Sequence, residues 1–335
     1  MQNKKIVLTK VLEGSSEPGD FRVVEESVPE PAAGEVLVRH HCLSLDPYQR
    51  PAMAGRHGGS SGPLGEGDMP PGETVGRVIK SRHSKFAEGD FVRHFGGWQE
   101  YSAGDGNEMV LVDESRAPLS AFLGVLGMPG LTAYASMVKL AEVGAGQTVL
   151  VSAAAGPVGS TVGQIAMQRG ARAVGIAGSD EKCAFVTEEL GFDACVNYKK
   201  ERLPEALHTV LPDGADIYHD NVGGQMLIDA MSALKLYGTV ILCGLMSSYN
   251  DPDQARSLPL VLPMMKRAVI KSVIVYDFEE QRDEFVDLMA PWVKEGKVKF
   301  KEDRVTGIEH AGEHFCRLMR GENFGKALVV MDSTG

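Results

Sequence analysis

Apolar positions follow two different spacings along the chain. Up to about residue 124 they occur in short runs that glycine and proline interrupt frequently, which is typical of strands joined by turns. From Leu131 onward, short β-branched runs alternate with segments of helical period, which predicts βαβ units and a parallel sheet. The strands predicted in the first part are Val36–His40, Thr74–Ser81, Phe91–Phe95 and Met109–Val112.

The second part predicts a doubly wound parallel sheet. Such a sheet binds its ligand at the carboxyl ends of the strands, where the strand order reverses. The predicted strands are Thr148–Val151, Ala173–Ala177, Ala194–Tyr198, Ala215–Val222, Thr239–Gly244 and Val269–Tyr276. Helices are predicted from Val158 to a C-cap at Gly170 and over residues 181–190, 203–211, 225–236 and 279–295. Residues 300–331 return to a strand–helix–strand pattern, which we expect to pack on the first domain.

A strand, a turn of small residues and a helix follow one another between Thr148 and Gly170. The turn carries an altered G-x-G-x-x-G motif, with Ala154, Gly156 and Gly159 at the three glycine positions. The first amides of the helix and its dipole favour a phosphate group, so this turn is a candidate dinucleotide site. The alternative is a tight turn that needs small residues only for packing.

The end of the next strand indicates which dinucleotide is bound. An NAD site needs a carboxylate about 20 residues after the glycine turn, where it accepts a hydrogen bond from the ribose 2′-hydroxyl. This chain has Gly178 there, which leaves room for a 2′-phosphate, followed by Ser179 as a donor and Lys182 as a cation. We therefore predict NADP(H) as the coenzyme. Asp180 argues against this prediction, unless it caps a helix that begins at Glu181.

The composition is that of a two-domain globular protein that binds neither nucleic acid nor membrane. The chain has 335 residues, a hydrophobic content of 43% and a formal net charge of -11, which disfavours phosphate backbones and anionic membranes. We expect no signal peptide and find no apolar stretch of roughly 20 residues. The 5 cysteines are scattered without a C-x-x-C motif, which indicates a reducing cytoplasm and no structural zinc.

No histidine set has the spacing of a catalytic metal site. We expect the histidines of the β-rich part to be surface or packing residues. His40 and His41 are adjacent on a predicted strand, so their rings point to opposite faces. The other histidines of this part are His57, His83 and His94.

Without a metal or a nucleophile motif, the reaction must be one that the coenzyme performs largely alone. Hydride addition to the β-carbon of an enone fits, because the protein then needs only to orient the alkene and to stabilise an enolate oxygen with hydrogen-bond donors. Tyrosine hydroxyls suit that role. Our candidate catalytic residues are Tyr249, just past the end of a sheet strand, and Tyr48 in the β-rich domain.

With these residues in view, the chain resembles the zinc-free medium-chain dehydrogenase/reductase proteins. It is most similar to the prostaglandin reductase and leukotriene hydroxydehydrogenase branch, which includes bacterial NADPH-dependent curcumin reductase and alkenal reductases. The resemblance covers essentially the whole chain. It is carried by LSLDPYQR (Leu43–Arg50), GMPGLTAY (Gly127–Tyr134), AAAGPVGSTVGQIA (Ala153–Ala166), GIAGSDEKC (Gly175–Cys183), DNVGG (Asp220–Gly224), LCGLMSSYN (Leu242–Asn250) and GENFGKALV (Gly321–Val329).

The resemblance implies an α/β fold of two domains. Residues 1–124 and 298–335 are expected to form a GroES-like β-barrel catalytic domain, with a Rossmann NADP-binding domain of residues 125–297 inserted between them. Where zinc-bearing relatives have G-H-E, this chain has Pro71-Gly72-Glu73, which supports a zinc-independent reaction. The chain departs from the family at Gln49 and in the glycine-rich segment Arg56–Gly72, which is either a lid or a loose surface loop.

The resemblance also implies where the coenzyme binds. Gly156–Gly159 are expected to hold the pyrophosphate, Lys182 and Tyr198 to contact the 2′-phosphate, and Asn323 to reach the ligand from the C-terminal segment. Asn221 is expected along the ribose and nicotinamide side. The complete set of expected coenzyme-binding residues is Gly156, Pro157, Val158, Gly159, Ser179, Lys182, Tyr198, Asn221, Cys243, Gly244, Leu245, Met246, Ser247, Ser248, Tyr249, Val273, Ile274, Val275 and Asn323.

Two other functions stay open beside enone or alkenal reduction. One is an NADPH quinone reductase, since zinc-free relatives also reduce quinones, and the other is a nucleotide-binding protein without physiological turnover. The family implies a homodimer, which we expect to form through the apolar edge run Val269–Tyr276.

Overall fold

The computed structural model describes residues 2–58, 61–252 and 257–331, and within these ranges the chain forms two compact units. The first contains residues 2–124 and 302–331, and the second contains residues 125–301. The second unit extends past residue 297 because the backbone of Lys299 is tied to Gln164. Its N–H donates to Gln164 Oε1 at 2.7 Å, and its carbonyl accepts from Gln164 Nε2 at 2.8 Å.

The first unit is rich in β-structure. Its strands are β1 (Gln2–Leu8), β2 (Phe21–Ser27), β3 (Glu35–Ser44), β4 (Thr74–Ser81), β5 (Phe91–His94), β6 (Tyr101–Asp105) and β7 (Val110–Leu111), with α1 (Gln49–Met53) between β3 and β4. The predicted strands of this part are thus present with small changes at their ends. The patterns missed β1, β2 and β6, because their polar and charged residues obscure the period of two.

The C-terminal segment completes the first unit as predicted. It contributes a strand, a helix and a strand, namely β14 (Glu302–Thr306), α9 (Ala311–Met319) and β15 (Lys326–Val330). Over the described residues these strands extend a seven-stranded sheet in the order β14-β15-β3-β4-β5-β7, with β6 also paired to β3. Phe315 of α9 packs edge-on against Trp98, with ring centroids 5.4 Å apart, and so anchors the helix in the core.

The second unit is a doubly wound parallel sheet. Its strands are β8 (Thr148–Val151), β9 (Arg172–Ala177), β10 (Ala194–Asn197), β11 (Ala215–Asp220), β12 (Leu234–Leu242) and β13 (Val269–Ser272). Its helices are α2 (Met128–Tyr134), α3 (Pro157–Gln168), α4 (Asp180–Ala184), α5 (Leu203–Val210), α6 (Gly224–Ser232), α7 (Val261–Lys266) and α8 (Arg282–Lys294). The strand order β10-β9-β8-β11-β12-β13 has the Rossmann pattern, so the predicted α/β fold class is confirmed.

Some predicted boundaries in this unit are wrong by several residues. The helix expected to reach Leu236 ends at Ser232, and the strand expected to begin at Thr239 begins at Leu234, because Leu234 is buried and already pairs with Ala215 in the sheet. The strand expected to reach Tyr276 ends at Ser272, and a 3-10 turn begins at Val275. In the described part of the chain, no helix is long and apolar enough to cross a membrane.

The glycine-rich segment at 56–72 is held by backbone hydrogen bonds over its second half. Gly67 N–H donates to Leu8 O and Leu8 N–H donates to Asp68 O, both at 2.9 Å. Near the end of the segment, Trp98 N–H donates to Pro70 O at 3.3 Å. Residues 59 and 60 lie outside the described residues. The segment is rich in glycine, yet its backbone is hydrogen-bonded to β1.

Candidate functional site

The glycine turn after β8 brings α3 into close contact with the end of the strand. Ala153 has a left-handed φ of 51°, and Gly156 N–H donates back to Ala153 O at 2.9 Å. A Cβ on Gly159 would lie 2.4 Å from the same oxygen, so only glycine allows the helix to start here. The turn therefore aims the N-terminal end of the 12-residue α3 at the carboxyl edge of the sheet.

Alanine at the first motif position is accommodated by a glycine on the next strand. Ala154 is fully buried, and a Cβ on Gly175 of β9 would lie 2.8 Å from the Ala154 Cβ. Gly175 of β9 thus provides the space that a glycine at position 154 would otherwise provide. The turn is therefore intact although Ala154 replaces the first glycine of the motif.

The loop after β9 has the shape expected beside a 2′-phosphate. A Cβ on Gly178 would lie 3.3 Å from Cε1 of Tyr198, which is 41% exposed. Ser179 Oγ accepts a hydrogen bond from Lys182 N–H at 3.2 Å and caps α4. The structure therefore brings Gly178, Ser179 and Tyr198 together, with Lys182 in the first turn of α4.

Asp180 neither caps the helix nor offers an unbalanced charge to a phosphate. The helix begins at Asp180 and Ser179 is its cap, so the alternative role considered for Asp180 is wrong. The carboxylate pairs with Lys200, and Asn197 Nδ2 donates to its Oδ1 at 2.7 Å. The Lys200 hydrogen bond, with help from Asn197, lowers the pKa of Asp180. The negative charge is thus compensated by Lys200 in the turn after β10, which removes the main objection to NADP(H).

Asp220, at the carboxyl end of β11, is the centre of a buried hydrogen-bond network. Its Oδ1 accepts from Tyr218 Oη at 2.7 Å and from Ser152 Oγ at 3.2 Å, and its Oδ2 accepts from Gly223 N–H at 3.0 Å. Burial raises the pKa of Asp220 despite these donors. Each donor left unsatisfied would cost about 1–3 kcal/mol, so the network fixes the turn between β11 and α6.

Asn221 connects the ends of two strands, and the turn that follows it is formed by Asp220. Asp220 accepts the N–H groups of Val222 and Gly223 and is therefore the Asx residue of this turn. Asn221 Nδ2 donates to Ser152 O at 2.7 Å and joins the ends of β8 and β11. Its contact with the ribose and nicotinamide stays a prediction. The polar run at 218–220 inside an otherwise apolar strand was the sequence signal for this network.

The loop after β12 packs on the turn after β11 through glycines. A Cβ on Gly244 would lie 2.8 Å from Asn221 O, and one on Gly224 would lie 2.8 Å from Ser247 Oγ. Ser247 N–H donates to Val222 O at 3.0 Å. The predicted coenzyme loop Cys243–Tyr249 is thus held beside the carboxyl ends of β11 and β12.

Tyr249 closes this loop and retains its phenolic proton. Its hydroxyl accepts a hydrogen bond from Leu245 N–H at 3.3 Å, and burial raises the pKa of the phenol. A protonated hydroxyl that accepts a backbone hydrogen bond is a good donor to a developing oxyanion. The catalytic role of Tyr249 stays a prediction.

Buried polar contacts hold the backbone on both sides of Tyr48 in the first unit. It precedes α1, and its ring lies 5.0 Å from that of His57. The preceding Asp46 is buried and accepts from Lys326 Nζ at 2.6 Å, while Gln49 Nε2 donates to Ser44 O at 2.9 Å. Breaking a buried ion pair of this kind costs about 3–5 kcal/mol. The backbone that presents Tyr48 is therefore fixed from both sides.

The other predicted coenzyme residues lie on separate elements. Val273 is buried and its N–H donates to Leu242 O at 3.0 Å, whereas Ile274 is exposed. Asn323 lies in the first unit, where its Nδ2 donates to Gly325 O at 2.8 Å. The coenzyme contacts assigned to Val273, Ile274, Val275 and Asn323 stay predictions.

The histidines of the first unit are packing residues where they are buried. His40 and His94 both contact Ser102 Oγ through Nε2, at 2.8 and 3.2 Å. Burial lowers the pKa of His40 to about 4 and that of His94 to about 3, so both are neutral. His41, by contrast, is exposed on the other face, as expected from strand geometry. Within the described ranges, no group of three or more His, Cys, Asp or Glu side chains is placed to hold a metal.

Comparison with known proteins supports both units. Residues 4–112 match the family model described as the N-terminal domain of oxidoreductase, and residues 157–292 match the model described as zinc-binding dehydrogenase. A relative from Escherichia coli K12, NADPH-dependent curcumin reductase, is 38% identical over 335 residues, which cover 98% of this chain and 96% of the relative. The NADP(+)-dependent 2-alkenal reductase of Nicotiana tabacum is 36% identical over 337 residues, with 99% and 98% covered.

A solved structure extends the similarity to three dimensions. The structure of CurA from Vibrio vulnificus in complex with NADPH superposes with a TM-score of 0.91 and 36% identity, covering 99% of this chain and 100% of that chain. The similarity includes the sheet-rich first unit, so the GroES-like and Rossmann architecture is confirmed. The coenzyme of this chain is NADP(H), as the residues around Gly178 predict.

Replacing Lys182 by methionine should separate the two nicotinamide coenzymes. We expect the Kd for NADPH to rise on the order of 10-fold, because a hydrogen bond to a charged group contributes about 1.5–3 kcal/mol. The Kd for NADH, which has no 2′-phosphate, should change less than about twofold. Fluorescence titration measures both constants. Lys85→Met, at an exposed lysine of the first unit, is the control. An equal loss for both coenzymes would contradict the assignment.

Proposed function

We propose the following reaction for this chain, which belongs to the prostaglandin reductase and curcumin reductase branch of the medium-chain dehydrogenase/reductase family. The enzyme reduces the carbon–carbon double bond of α,β-unsaturated ketones and aldehydes, with NADPH as the hydride donor. The observation that carries the proposal is the protonated Tyr249 hydroxyl, which is fixed by Leu245 N–H on the loop beside the coenzyme-binding edge of the sheet. The two curated relatives, named for curcumin and for 2-alkenals, support this substrate class.

The second unit contains residues that suit each part of NADPH. The turn Gly156–Gly159 at the start of α3 would hold the pyrophosphate, and Ser179, Lys182 and Tyr198 would hold the 2′-phosphate. The loop Cys243–Tyr249 would also contact the coenzyme. NADPH, when bound, supplies the hydride that is added to the β-carbon of the substrate.

Two tyrosines act on the carbonyl oxygen of the substrate. As the β-carbon is reduced, negative charge develops on this oxygen, and a hydroxyl that donates to it lowers the barrier. Tyr249 is the principal donor because its phenol is kept protonated by burial and its orientation is set by Leu245. Tyr48 is the second donor, and its backbone is held by the ion pair between Asp46 and Lys326.

The packing around Gly72 favours a zinc-independent reaction. Gly72 occupies the position of the histidine in the G-H-E motif of zinc-bearing relatives. A Cβ on Gly72 would lie 2.6 Å from Leu43 Cδ1 and 2.9 Å from Trp98 Cδ1, so no larger side chain fits. The following Glu73 is buried and forms an ion pair with Arg93. The hydroxyl donors therefore take the place of a Lewis acid.

Product analysis tests the proposed reaction. Purified protein with NADPH and 2-nonenal, cinnamaldehyde or curcumin should consume NADPH and give the product with a saturated carbon–carbon bond and an intact carbonyl, as seen by mass spectrometry. Heat-denatured protein is the control. An alcohol that keeps the double bond would contradict the proposal, as would activity on quinones that exceeds the activity on every enone.

Removal of the two hydroxyls tests their catalytic role. We expect Tyr249→Phe to lower kcat by about 10²-fold, in line with the loss of an oxyanion donor, and Tyr48→Phe to lower it by a smaller factor. The Kd for NADPH should stay within about twofold in both variants. Tyr237→Phe, at a residue that is 73% exposed, is the matched control. Unchanged kcat in both variants would remove the tyrosines from the mechanism.

We also propose that two copies of the chain associate through β13. This strand lies at the end of the parallel sheet, and both Val269 and Ile270 are exposed on it. The neighbouring α7 and the residue before it add further exposed apolar side chains, with Leu260 80% and Met264 66% exposed. A two-fold axis beside β13 would join two such sheets edge to edge and cover this surface.

Sedimentation measures the proposed association. The wild-type chain should sediment with twice its mass of 36.0 kDa, and Ile270→Asp should shift it to the mass of one chain, since a charge at the joined edge is desolvated without a partner. Leu111→Asp, at the exposed edge strand β7 of the first unit, is the control and should leave the mass unchanged. A wild-type mass of one chain would contradict the dimer.

The cytoplasm is the compartment that we propose for this enzyme. The 5 cysteines are free thiols, and thiols persist in a reducing compartment.

A further inference from the structure

His219 lies in the interior of the second unit, one residue before the carboxyl end of β11. It is fully buried, and Val151 of β8 and Ile241 of β12 pair with it in the sheet. Its Nε2 lies 3.0 Å from Ser136 Oγ, and its Nδ1 lies 3.3 Å from Asn221 Nδ2. The imidazole therefore links the segment after α2 to the end of the strand.

Two backbone carbonyls fix the direction of the hydrogen bonds through this ring. A carbonyl oxygen can only accept, so the Ser136 hydroxyl, 2.7 Å from Thr132 O, gives its proton to that oxygen. The Ser136 oxygen then accepts from His219 Nε2, which must carry a hydrogen. For the same reason, the atom of the Asn221 amide that lies 2.7 Å from Ser152 O must be the nitrogen.

These directions leave His219 in one tautomer. Nε2 carries the hydrogen, and Nδ1 accepts from Asn221 Nδ2. A hydrogen on Nδ1 would point at the amide hydrogens of Asn221, so the ring is neutral. Burial acts in the same direction, because it lowers the pKa of His219 to about 3. His219 is thus a fixed acceptor for Asn221 and no source of protons at neutral pH.

The histidine in turn decides which end of the Asn221 amide is available to a ligand. One amide hydrogen is given to Ser152 O and the other to His219 Nδ1, so the remaining hydrogen-bonding capacity is that of Oδ1, an acceptor. Asn221 directly follows β11, at the edge of the sheet where doubly wound folds bind their ligands. An acceptor at this place suits a hydroxyl or an amide N–H group and repels a phosphate oxygen.

We propose that His219 is a positioning residue for the coenzyme. Its Nδ1 holds the Asn221 amide so that Oδ1 accepts a hydrogen bond from a ribose hydroxyl or from the carboxamide of the nicotinamide. The hydrogen bond to Ser152 O alone would let the amide pivot about a single contact, and the second bond, to His219, prevents this rotation. The inference rests on the proposed contact of Asn221 with NADPH.

Two substitutions of nearly equal shape test this role. Leucine and asparagine leave similar cavities in place of the imidazole, but only asparagine keeps an acceptor near the position of Nδ1. We expect His219→Leu to raise the Kd for NADPH on the order of 5-fold, the effect of one lost neutral hydrogen bond, and His219→Asn to keep it within about twofold. Fluorescence titration measures the Kd at a temperature at which thermal unfolding shows each variant to be folded. His208→Leu, at an exposed histidine of α5, is the control.

Equal effects of the two substitutions would overturn the proposal. If both variants bind NADPH as weakly as each other, His219 acts through its packing volume, and if both bind as the wild type does, it has no part in coenzyme binding. Asn221→Leu should raise the Kd at least as much as His219→Leu does. An unchanged Kd in Asn221→Leu would overturn the coupling to the coenzyme.

NMR of the full chain labelled with nitrogen isotope in its histidines reads the tautomer without coenzyme or substrate. The signals that are lost in His219→Asn should show a protonated Nε2 and an unprotonated Nδ1 around neutral pH. The opposite tautomer, or an imidazolium, would overturn the proposal. Neither the NMR spectrum nor the titration uses an enone, so failure of the proposed reduction would leave both results standing.

Discussion

A buried carboxylate holds together the edge of the sheet at which the candidate site lies. Asp220 accepts hydrogen bonds from the end of β8 and from the turn before α6, and its own carbonyl accepts the N–H groups of Cys243 and Gly244. A charge or acid that is buried in this way is tolerated only when its hydrogen-bonding capacity is used. The requirement joins three loops into one structure, and residues proposed to bind the coenzyme lie on these loops.

The side chains proposed for catalysis are held in place by similar hydrogen bonds and ion pairs. Tyr249 is tied to Leu245 within the loop that packs on the Asp220 turn. Tyr48 follows Asp46, which Lys326 and Ser44 hold in the interior of the first unit. Hydroxyls held in one orientation before the substrate arrives lose little entropy during the reaction, and this preorganisation is how a site without a Lewis acid stabilises an oxyanion.

Local patterns predicted the strands whose apolar residues form a continuous run and missed strands that contain many polar residues. β8 and β9 are continuous apolar runs, and their bounds were predicted to within one residue. β2 is mostly exposed and charged, so its sequence carries no period of two. The end of the helix before β12 was misplaced, because the burial of Leu234 in the sheet overrides its helical propensity.

The sequence by itself determined the alternation of strands and helices in the second unit, the glycine turn and the choice of NADP(H), since each rests on residues that are close together in the chain. Only the tertiary structure decided how the charge of Asp180 is compensated, because Asn197 reaches it from the end of β10 and Lys200 from the turn that follows. The same holds for the space that Gly175 provides for Ala154. These arrangements depend on which strands lie side by side, a property that no local pattern of residues contains.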